Sequence, residues 1–386
     1  MRKKAYPRLL EPPRSSFFLF GARGVGKSTW ARERFADAHS IDLLDEALYQ
    51  RLLGDPGLFA DRLRTVSPGQ WVLVDEVQRI PGLLNEVHRF IEERELRFAL
   101  LGSSARKLKT AGTNLLAGRA LWKTLGPLLP EELGDDFDLD RVLRLGSIPL
   151  VWSAEDSLET LRAYVQLYLR EEIKAEALVR NLPGFVRFLP VAALFHGESI
   201  NVSGIARDCG VARTTAAGYL DILEDTLLAW RLPGYEARLR AQERKHPKLY
   251  WLDPGLVRAV KRQTGPLGLE ERGPLLEGWV HSLLRAYRDR HELWHGLYYW
   301  APGKGGNLEV DFLLERDGEF LAIEVKASAT FSRSQLKGLN AIQDLPGLAR
   351  RLLIYTGADD LRASGGVDVW TVRRFLDALA RDELWP

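Results

Sequence analysis

Glycines, a lysine and a hydroxyl side chain follow one another closely near the start of the chain. An apolar run leads into GARGVGKST, in which Gly21 and Gly26 bracket the turn and Lys27 and Ser28 follow it. Glycines let backbone amides wrap phosphate oxygens, and a helix that begins here adds its positive end. Lys27 would reach the β- and γ-phosphates, and Ser28 would offer its hydroxyl to Mg2+. The spacing predicts a P-loop that binds ATP.

A second segment, WVLVDEVQ, supplies two acids at the end of an apolar strand. Asp75 would hold Mg2+ through water, and Glu76 would orient the water that attacks the γ-phosphate. Taken alone, such acids are more often a solvated strand end, but the P-loop upstream favours catalysis. The expected nucleotide contacts are Gly21, Arg23, Gly24, Val25, Gly26, Lys27, Ser28, Thr29 and Asp75.

The segment FALLGSSARKL offers further polar groups, and the strand in it should lie between the other two. Ser103 is the first choice for a contact to the γ-phosphate or the water, and Ser104 is the second. The alternative is a serine that only caps the following helix. Arg119 is a candidate arginine finger that acts in trans on the next protomer, with Arg106 as its rival. A surface arginine is the alternative at Arg119.

Three acids and a lysine stand out near the other end of the chain: Glu277, Asp311, Glu324 and Lys326. Asp311 interrupts an apolar strand, and Glu324 and Lys326 lie two apart, on one face of their strand. Carboxylates gathered in this way can bind Mg2+ or Mn2+, which activates water on a phosphodiester. Lys326 would position that water or stabilise charge. The alternative is a cross-strand ion pair between Asp311 and Lys326.

Nucleic-acid contacts are expected from a basic run in ARLRAQERKHPK. Its members are Arg238, Arg240, Arg244, Lys245 and Lys248. The preceding segment has helix-turn-helix spacing, with a short helix, a turn at Gly210 and a longer helix. That longer helix becomes acidic, so a packing or backbone-contacting role is the alternative to base recognition. For the basic run, the alternative is a solvated face.

The elements that must position these residues follow from hydrophobic patterning. Short apolar runs alternate with helical patterns in the first third, which indicates an α/β unit with a parallel sheet. We expect strands at 17–20, 41–44, 71–74, 98–101 and 120–125. The expected domains are an ATPase core over 1–130, a helical lid-like segment over 131–185, a winged-helix-like module over 186–245, and a second α/β domain over 246–386.

Composition limits the function classes. The 54 basic and 52 acidic residues give a net charge of +2, so overall charge does not require a nucleic-acid partner. No apolar run is long enough to cross a membrane, and the basic start lacks a signal core. The single cysteine, Cys209, excludes an intrachain disulfide. We expect a cytoplasmic protein with no membrane association.

Together these segments resemble a known family, the prokaryotic AAA+-like ATPases with a winged-helix region and a C-terminal PD-(D/E)XK domain of restriction-endonuclease type. The resemblance covers nearly all residues, through GARGVGKST, WVLVDEVQRIP, KHPKLYWLDPGL, LEVDFLL and AIEVKAS. It implies an ASCE-type sheet, a homo-oligomer such as a hexamer, and a nuclease-like tail. Val310, the residue before Asp311, takes the position of the proline in the PD-(D/E)XK motif.

Three functions are compatible with this pattern. The first is an ATP-dependent, metal-dependent nuclease acting on DNA, with ATP and Mg2+ in the P-loop and Mg2+ or Mn2+ at the acids. The second is a DNA-binding ATPase or switch whose tail does not cleave. The third is a protein-remodelling ATPase without nucleic acid. The acid–lysine set favours the first function.

Overall fold

The computed structural model describes residues 4–104, 106, 108, 116, 118–168, 181–236, 246–302 and 308–386. The chain forms two compact units. The N-terminal unit comprises Met1–Leu128, Ile148–Ser153 and Ile222–Leu228. The C-terminal unit comprises Leu129–Ser147, Ala154–Asp221 and Ala229–Pro386. The architecture is mixed α/β.

A five-stranded parallel sheet forms the centre of the N-terminal unit. Its strands are β1 (Phe17–Phe20), β2 (His39–Asp42), β3 (Trp71–Asp75), β4 (Arg97–Gly102) and β5 (Leu121–Thr124). They lie in the order β2-β3-β4-β1-β5, and all neighbouring strands are parallel. Strands β1, β3 and β4 are almost completely buried, as expected for a parallel sheet covered on both faces.

Helices cover this sheet. They are α1 (Lys27–Arg34), α2 (Glu46–Gly54), α3 (Gly57–Arg64) and α4 (Leu83–Arg94), with a 3-10 turn at Val77–Arg79 and a short helix at Pro149–Trp152. Side chains of α2, α3 and α4 share a core with Phe18, Val72 and Leu100 of the sheet. On the opposite face Trp30 of α1 meets the ring of Phe17 edge-on. The two layers fix the ends of the strands, which carry the candidate residues.

Most strands of this sheet lie where the sequence places them. The prediction of β1 is confirmed at both ends, and β4 lies between β1 and β3 as expected. The predicted bounds of β2, 41–44, are wrong by two residues, because the strand runs from His39 to Asp42 and then turns. Asp42 accepts a hydrogen bond from the amide of Leu44, which ends the strand.

The C-terminal unit begins with helices. They are α5 (Pro130–Leu133), α6 (Leu139–Leu145), α7 (Ser157–Ala163), α8 (Leu182–Leu194), α9 (Val202–Cys209), α10 (Arg213–Asp225), α11 (Pro254–Val260) and α12 (Leu269–His291), with a 3-10 turn at Gly134–Asp136 and a π-helical turn at Tyr164–Tyr168. The last residues of α10, from Ile222, belong to the N-terminal unit. Helices α9 and α10 form the expected helix-turn-helix. The turn depends on Gly210, whose φ of 64° is left-handed. Strands β6 (Ala229–Leu232) and β7 (Lys248–Trp251) follow as an antiparallel pair.

A six-stranded mixed sheet completes this unit. Its strands are β8 (Gly296–Trp300), β9 (Val310–Arg316), β10 (Glu319–Lys326), β11 (Leu348–Tyr355), β12 (Leu361–Ala363) and β13 (Val367–Thr371). The order is β12-β13-β11-β10-β9-β8, with parallel pairs at β10–β11 and β11–β13. Helices α13 (Lys337–Ala341), preceded by a 3-10 turn at Arg333–Leu336, and α14 (Val372–Ala380) follow β10 and β13. The neighbouring positions expected for β9 and β10 are confirmed.

Three elements of this region were not predicted from the sequence. Strands β12 and β13 and helix α14 extend the sheet and its covering layer beyond the predicted elements. Among the described residues, no helix is long and apolar enough to span a membrane.

Candidate functional site

The P-loop has three positions that favour glycine, two by backbone conformation and one by lack of space for a side chain. Gly24 and Gly26 have φ values of 79° and 90°, in the left-handed region. A Cβ at Gly21 would lie 2.2 Å from the carbonyl oxygen of Leu125. Helix α1 begins directly after Gly26. The loop therefore directs the first amides of α1 toward one cavity, as phosphate binding requires.

Lys27 is buried at the base of this loop. Its side chain donates hydrogen bonds to the carbonyl oxygens of Gly21 at 2.7 Å and Ala22 at 3.4 Å. These acceptors are neutral, and they hold the ammonium group within the loop that would surround a phosphate. The arrangement suits a lysine that exchanges carbonyl oxygens for phosphate oxygens when a nucleotide enters.

The two expected Mg2+ contacts lie next to each other. Asp75 ends β3 and is buried, and burial raises the pKa of its carboxyl above the ordinary value. A hydrogen bond from the Ser28 hydroxyl opposes that shift. The amide of Glu76 also donates to Asp75, at 3.1 Å. A hydroxyl and a carboxylate in contact form an oxygen donor set that fits Mg2+.

Glu76 is held in place by two neighbouring polar side chains. Its φ of 57° is left-handed, a strained conformation for a non-glycine residue. The Gln78 amide donates to its carboxylate and, at 3.0 Å, to the hydroxyl of Ser103. The Ser103 hydroxyl lies 3.4 Å from the same Glu76 oxygen. Ser104 instead accepts from the amide of Arg106, which is a capping contact.

Sequence reasoning missed Gln78, although the signal was available. Gln78 lies two residues after Glu76 in the same DEVQ segment and is 1% exposed. A buried amide so close to a candidate catalytic acid has few uses other than orienting it. The contacts make Gln78 the link between β3 and β4 at this site.

A cavity of about 480 Å³ opens over the P-loop. Its lining includes the predicted residues Arg23, Gly24, Val25, Gly26, Lys27, Ser28, Thr29 and Glu76. Gly21, Asp75 and Ser103 lie behind this lining, in contact with its residues. The rest of the cavity is lined partly by Tyr6, Leu128, Pro149 and Leu150, an aromatic and apolar surface that the sequence did not predict.

Arg8 fastens the chain segment before β1 onto the loop. Its guanidinium donates to the carbonyl oxygens of Val25 at 2.6 Å and Gly126 at 2.9 Å. The carbonyl of Leu10 in turn accepts from the indole of Trp30 at 3.0 Å. No sequence signal marks Arg8, because its partners are backbone atoms 17 and 118 residues away.

The two candidate finger arginines each have an acidic partner within the N-terminal unit. Arg106 contacts Asp225 at 2.8 Å and is partly buried. Arg119 is paired with Glu92, and its side chain is 40% exposed. Arg119 is therefore the more accessible of the two.

Two of the four residues predicted in the C-terminal unit, Glu277 and Asp311, lie next to Lys248, which the sequence assigned to the nucleic-acid contacts. The ammonium of Lys248, on β7, lies 3.3 Å from Glu277, 3.1 Å from Glu309 and 3.8 Å from Asp311. The Lys248 side chain is only 3% exposed. The hydroxyl of Tyr250 also donates to Glu277, at 2.5 Å.

Asp311 and Glu324 make further contacts within the fold. Asp311 accepts from the backbone amide of Val325 at 2.8 Å. Lys326 pairs with Glu324 at 2.5 Å, and not with Asp311 as the alternative interpretation had it. The second oxygen of Glu324 is buried without a hydrogen-bond partner among the described residues.

Burial governs the protonation of this cluster. It raises the pKa of Glu277 to about 7 and that of Glu324 to about 8, and in both cases the charge of Asp311 adds to the shift. Burial also raises the pKa of Asp311. Burial opposes the charged form of Lys248, but the carboxylates of Glu277, Asp311 and Glu309 overcome it and raise the lysine's pKa.

The acids do not fit a divalent ion in this arrangement. Within the described part of the chain, no three His, Cys, Asp or Glu side chains are placed to hold a metal together. An ammonium group lies among the oxygens of Glu277, Glu309 and Asp311, and one orphaned oxygen of Glu324 is too few for a Mg2+ or Mn2+ site.

The predicted nucleic-acid contacts divide into two groups. Arg238, Arg240, Arg244 and Lys245 lie outside the described residues. The assignment of Lys248 to this set is corrected, because its charge is buried among carboxylates and is not presented to solvent. On α10, Arg213 and Thr214 are exposed, as a contact to a nucleic-acid backbone would need.

Family comparisons agree with the geometry of the P-loop. Residues 13–134 match a family model described as an AAA domain. The N-terminal unit contains an AAA-type P-loop ATPase domain. Residues 136–270 and 272–375 match two models described as domains of unknown function, DUF8612 and DUF4143.

Relatives extend over most of the chain. It is 29% identical to an uncharacterised protein of Mycobacterium tuberculosis in a 378-residue alignment that covers 91% of this chain and 81% of that protein. An uncharacterised protein of Haemophilus influenzae is 22% identical, covering 74% of this chain and 73% of that protein. Among solved structures, Thermotoga maritima RuvB is 18% identical with a TM-score of 0.29, covering 57% of this chain and 82% of RuvB.

Proposed function

We propose that the N-terminal unit binds ATP with Mg2+ and hydrolyses it. The observation that carries the proposal is the convergence of Glu76, Gln78 and Ser103 beside the cavity of the P-loop. Such a set suits the orientation of a water molecule beside the phosphates. The match of residues 13–134 to an AAA domain supports the same assignment.

Each residue then has a defined task. Lys27 exchanges its carbonyl acceptors for phosphate oxygens, and the amides that follow Gly26 donate to the same phosphates. Ser28 and Asp75 would hold Mg2+, which when bound neutralises charge on the phosphate oxygens. Glu76 orients the attacking water and accepts its proton. Gln78 and Ser103 fix the carboxylate of Glu76 for that role.

The apolar part of the cavity accounts for the rest of the ligand. Leu128, Pro149 and Leu150 offer apolar surface, and Tyr6 offers a ring at the same opening. A nucleobase is flat and largely apolar on its faces, so it would be received there. Arg8 keeps the segment that carries Tyr6 attached to the loop.

A direct test measures nucleotide affinity and phosphate release on the full chain. Lys27→Met should lose most of the affinity for a fluorescent ATP analogue, and turnover with it. Lys337→Met, an exposed lysine of the C-terminal unit, is the matched control and should leave both unchanged. Equal affinity in Lys27→Met and the control would end the proposal.

For the C-terminal unit, we place a non-cleaving role ahead of DNA cleavage. Convergence of Glu277, Asp311, Glu324 and Lys326 supports cleavage, as does the orphaned oxygen of Glu324. The partners already bound to the other oxygens weigh against it. We keep DNA as the proposed partner of a homo-oligomeric ATPase, with a hexamer as one form.

Cleavage and binding can be measured separately. Single-stranded, double-stranded and branched DNA are incubated with Mg2+ or Mn2+, with and without ATP, and the same samples are used for a binding assay. We expect binding without cleavage. Metal-dependent cleavage that Asp311→Asn removes would restore the nuclease as the leading function.

A further inference from the structure

We propose that Lys248 is the resident cation of the C-terminal acid cluster and takes the place that a divalent metal ion would have among Glu277, Glu309 and Asp311. The fold then needs no metal at this position. The proposal concerns the C-terminal unit alone and does not depend on the proposed ATPase.

The first support is geometric. One ammonium group lies within 4 Å of oxygens from three carboxylates, at 3.1, 3.3 and 3.8 Å. These acids come from helix α12, from the residue before β9, and from β9 itself. The ammonium group donates hydrogen bonds to Glu277 and Glu309, and Asp311 adds an ion pair at 3.8 Å. Lys248 therefore ties together the parts that a metal ion would otherwise join.

The second support is burial. The Lys248 side chain is 3% exposed and that of Asp311 is 4% exposed. A charge removed from water persists only when it is paired and hydrogen-bonded. Removing one partner of such a pair is strongly destabilising, because the other charge is left buried. The cluster thus depends on its cation.

The third support is the attachment of the lysine's backbone. Lys248 is the first residue of β7 and pairs with Leu232 of β6. Its backbone also forms an isolated antiparallel β-bridge with the backbone of Ser199. With the backbone held on both sides, the ammonium can leave the acids only by a change of side-chain rotamer. The aromatic ring of Tyr299, centred 5.8 Å from the ammonium, bounds that space.

Two of the three acids also accept hydrogen bonds from other groups of the fold. Tyr250 donates to Glu277, and Val325 donates to Asp311. A divalent ion would have to displace the lysine and still find six or more oxygens. The unpartnered oxygen of Glu324 offers one. Removal of the lysine side chain should therefore create the vacancy that wild-type protein lacks.

The experiment compares melting curves of the full chain, free of nucleotide, in EDTA and in Mn2+. Wild type should melt at the same temperature in both. Lys248→Met should melt lower in EDTA, by on the order of 5–10 °C. Mn2+ should recover several degrees in that variant. The control Lys337→Met should behave as wild type in both conditions.

Two further variants keep the test decisive. Lys248→Met combined with Asp311→Asn should lose the response to Mn2+, because a ligand has been removed with the lysine. Lys248→Arg retains a cation and should melt closer to wild type than Lys248→Met, which covers the case in which the methionine variant does not fold. A wild-type melting point that Mn2+ raises, in a way that Asp311→Asn abolishes, would overturn the proposal. So would a Lys248→Met variant as stable as its control.

Discussion

Two buried lysines illustrate how differently the two units use a positive charge. Lys27 donates to neutral carbonyl oxygens of its own loop, beside a cavity of about 480 Å³. Lys248 lies among three carboxylates from other elements. Lys27 lines that cavity, whereas the charge of Lys248 is neutralised by the three carboxylates. A buried lysine therefore indicates a ligand site when it lines a cavity, and a stabilising contact when acids of the fold surround it.

The acids Glu76 and Asp311 also differ in their surroundings. Glu76 is strained in the left-handed region and is oriented by Gln78 and Ser103 at the cavity. Asp311 is 3% exposed and bonded to the backbone of β10. Strain and access at Glu76 are typical of catalysis, while burial, a backbone hydrogen bond and a nearby cation at Asp311 are typical of a stabilising role.

The largest effect should come from Glu76→Gln. Turnover of ATP should fall about 10³-fold, because an amide cannot accept the proton of the attacking water. Affinity for ATP should stay close to wild type, since the phosphate contacts are unchanged. Phosphate release and nucleotide binding measure the two quantities. Glu33→Gln, an exposed acid at the same cavity, is the control and should retain turnover. Unchanged hydrolysis in Glu76→Gln would mean that Glu76 is not catalytic, and the contrast with the stabilising acid Asp311 would be lost.

A second large effect should follow from Arg119→Ala if neighbouring protomers complete the site. Turnover should then fall by a comparable factor, about 10³-fold, the lower end of what an arginine supplied in trans contributes. Affinity for ATP should change little. Mixing this variant with Glu76→Gln should recover part of the activity, because one interface then regains both groups. Hydrolysis by a strict monomer at every concentration of wild type would exclude the arrangement.

The smaller effect of Asp311→Asn distinguishes a stabilising acid from a metal ligand. Losing the charge beside Lys248 should lower the free energy of unfolding by about 2 kcal/mol, the range of hydrogen bonds to charged groups. Denaturant unfolding measures it. Glu309→Gln should cost less, because the Glu309 side chain is 47% exposed and water can replace it. Stabilisation by Asp311→Asn would instead indicate carboxylates that repel each other without a metal ion.

The smallest effect concerns pH and the core beside the acid cluster. Burial lowers the pKa of His196 from 6.5 to about 3. The unfolded chain therefore binds a proton between these values that the folded chain does not, so stability falls as pH drops through this window. From pH 6.5 to 5.5 the loss should be ~1 kcal/mol. Unfolding of wild type and His196→Gln at both values measures it, and equal slopes would contradict the assignment.

Sequence patterns predicted which segments meet at the P-loop, because these segments are local. The loop from Gly21 to Ser28 and the pair Asp75 and Glu76 are each contiguous, and each directly follows a buried strand. Parallel strands bring their carboxyl ends to one edge of a sheet, so the meeting of these segments could be expected. Arg8 escaped notice because its partners are backbone atoms, which carry no residue signature.

The acid cluster was predicted only in part, for the opposite reason. Glu277, Asp311, Glu324 and Lys326 were selected by residue type, but their partners were not. Lys248 belongs to a basic run in the sequence, and the charged residues of such a run are usually exposed to solvent. Its acidic contacts lie 29 and 61 residues further along the chain. No local pattern encodes such distances.

The sequence by itself determined the chemistry of the P-loop, because contiguous residues and strand ends fix that geometry before any long-range packing. Tertiary structure alone decided the fate of Lys248. The antiparallel pairing of β6 with β7 holds its backbone, and the approach of α12 and β9 surrounds its side chain. A lysine in water is a free charge, but the same lysine enclosed by three carboxylates is a neutralised part of the core, because burial makes pairing obligatory.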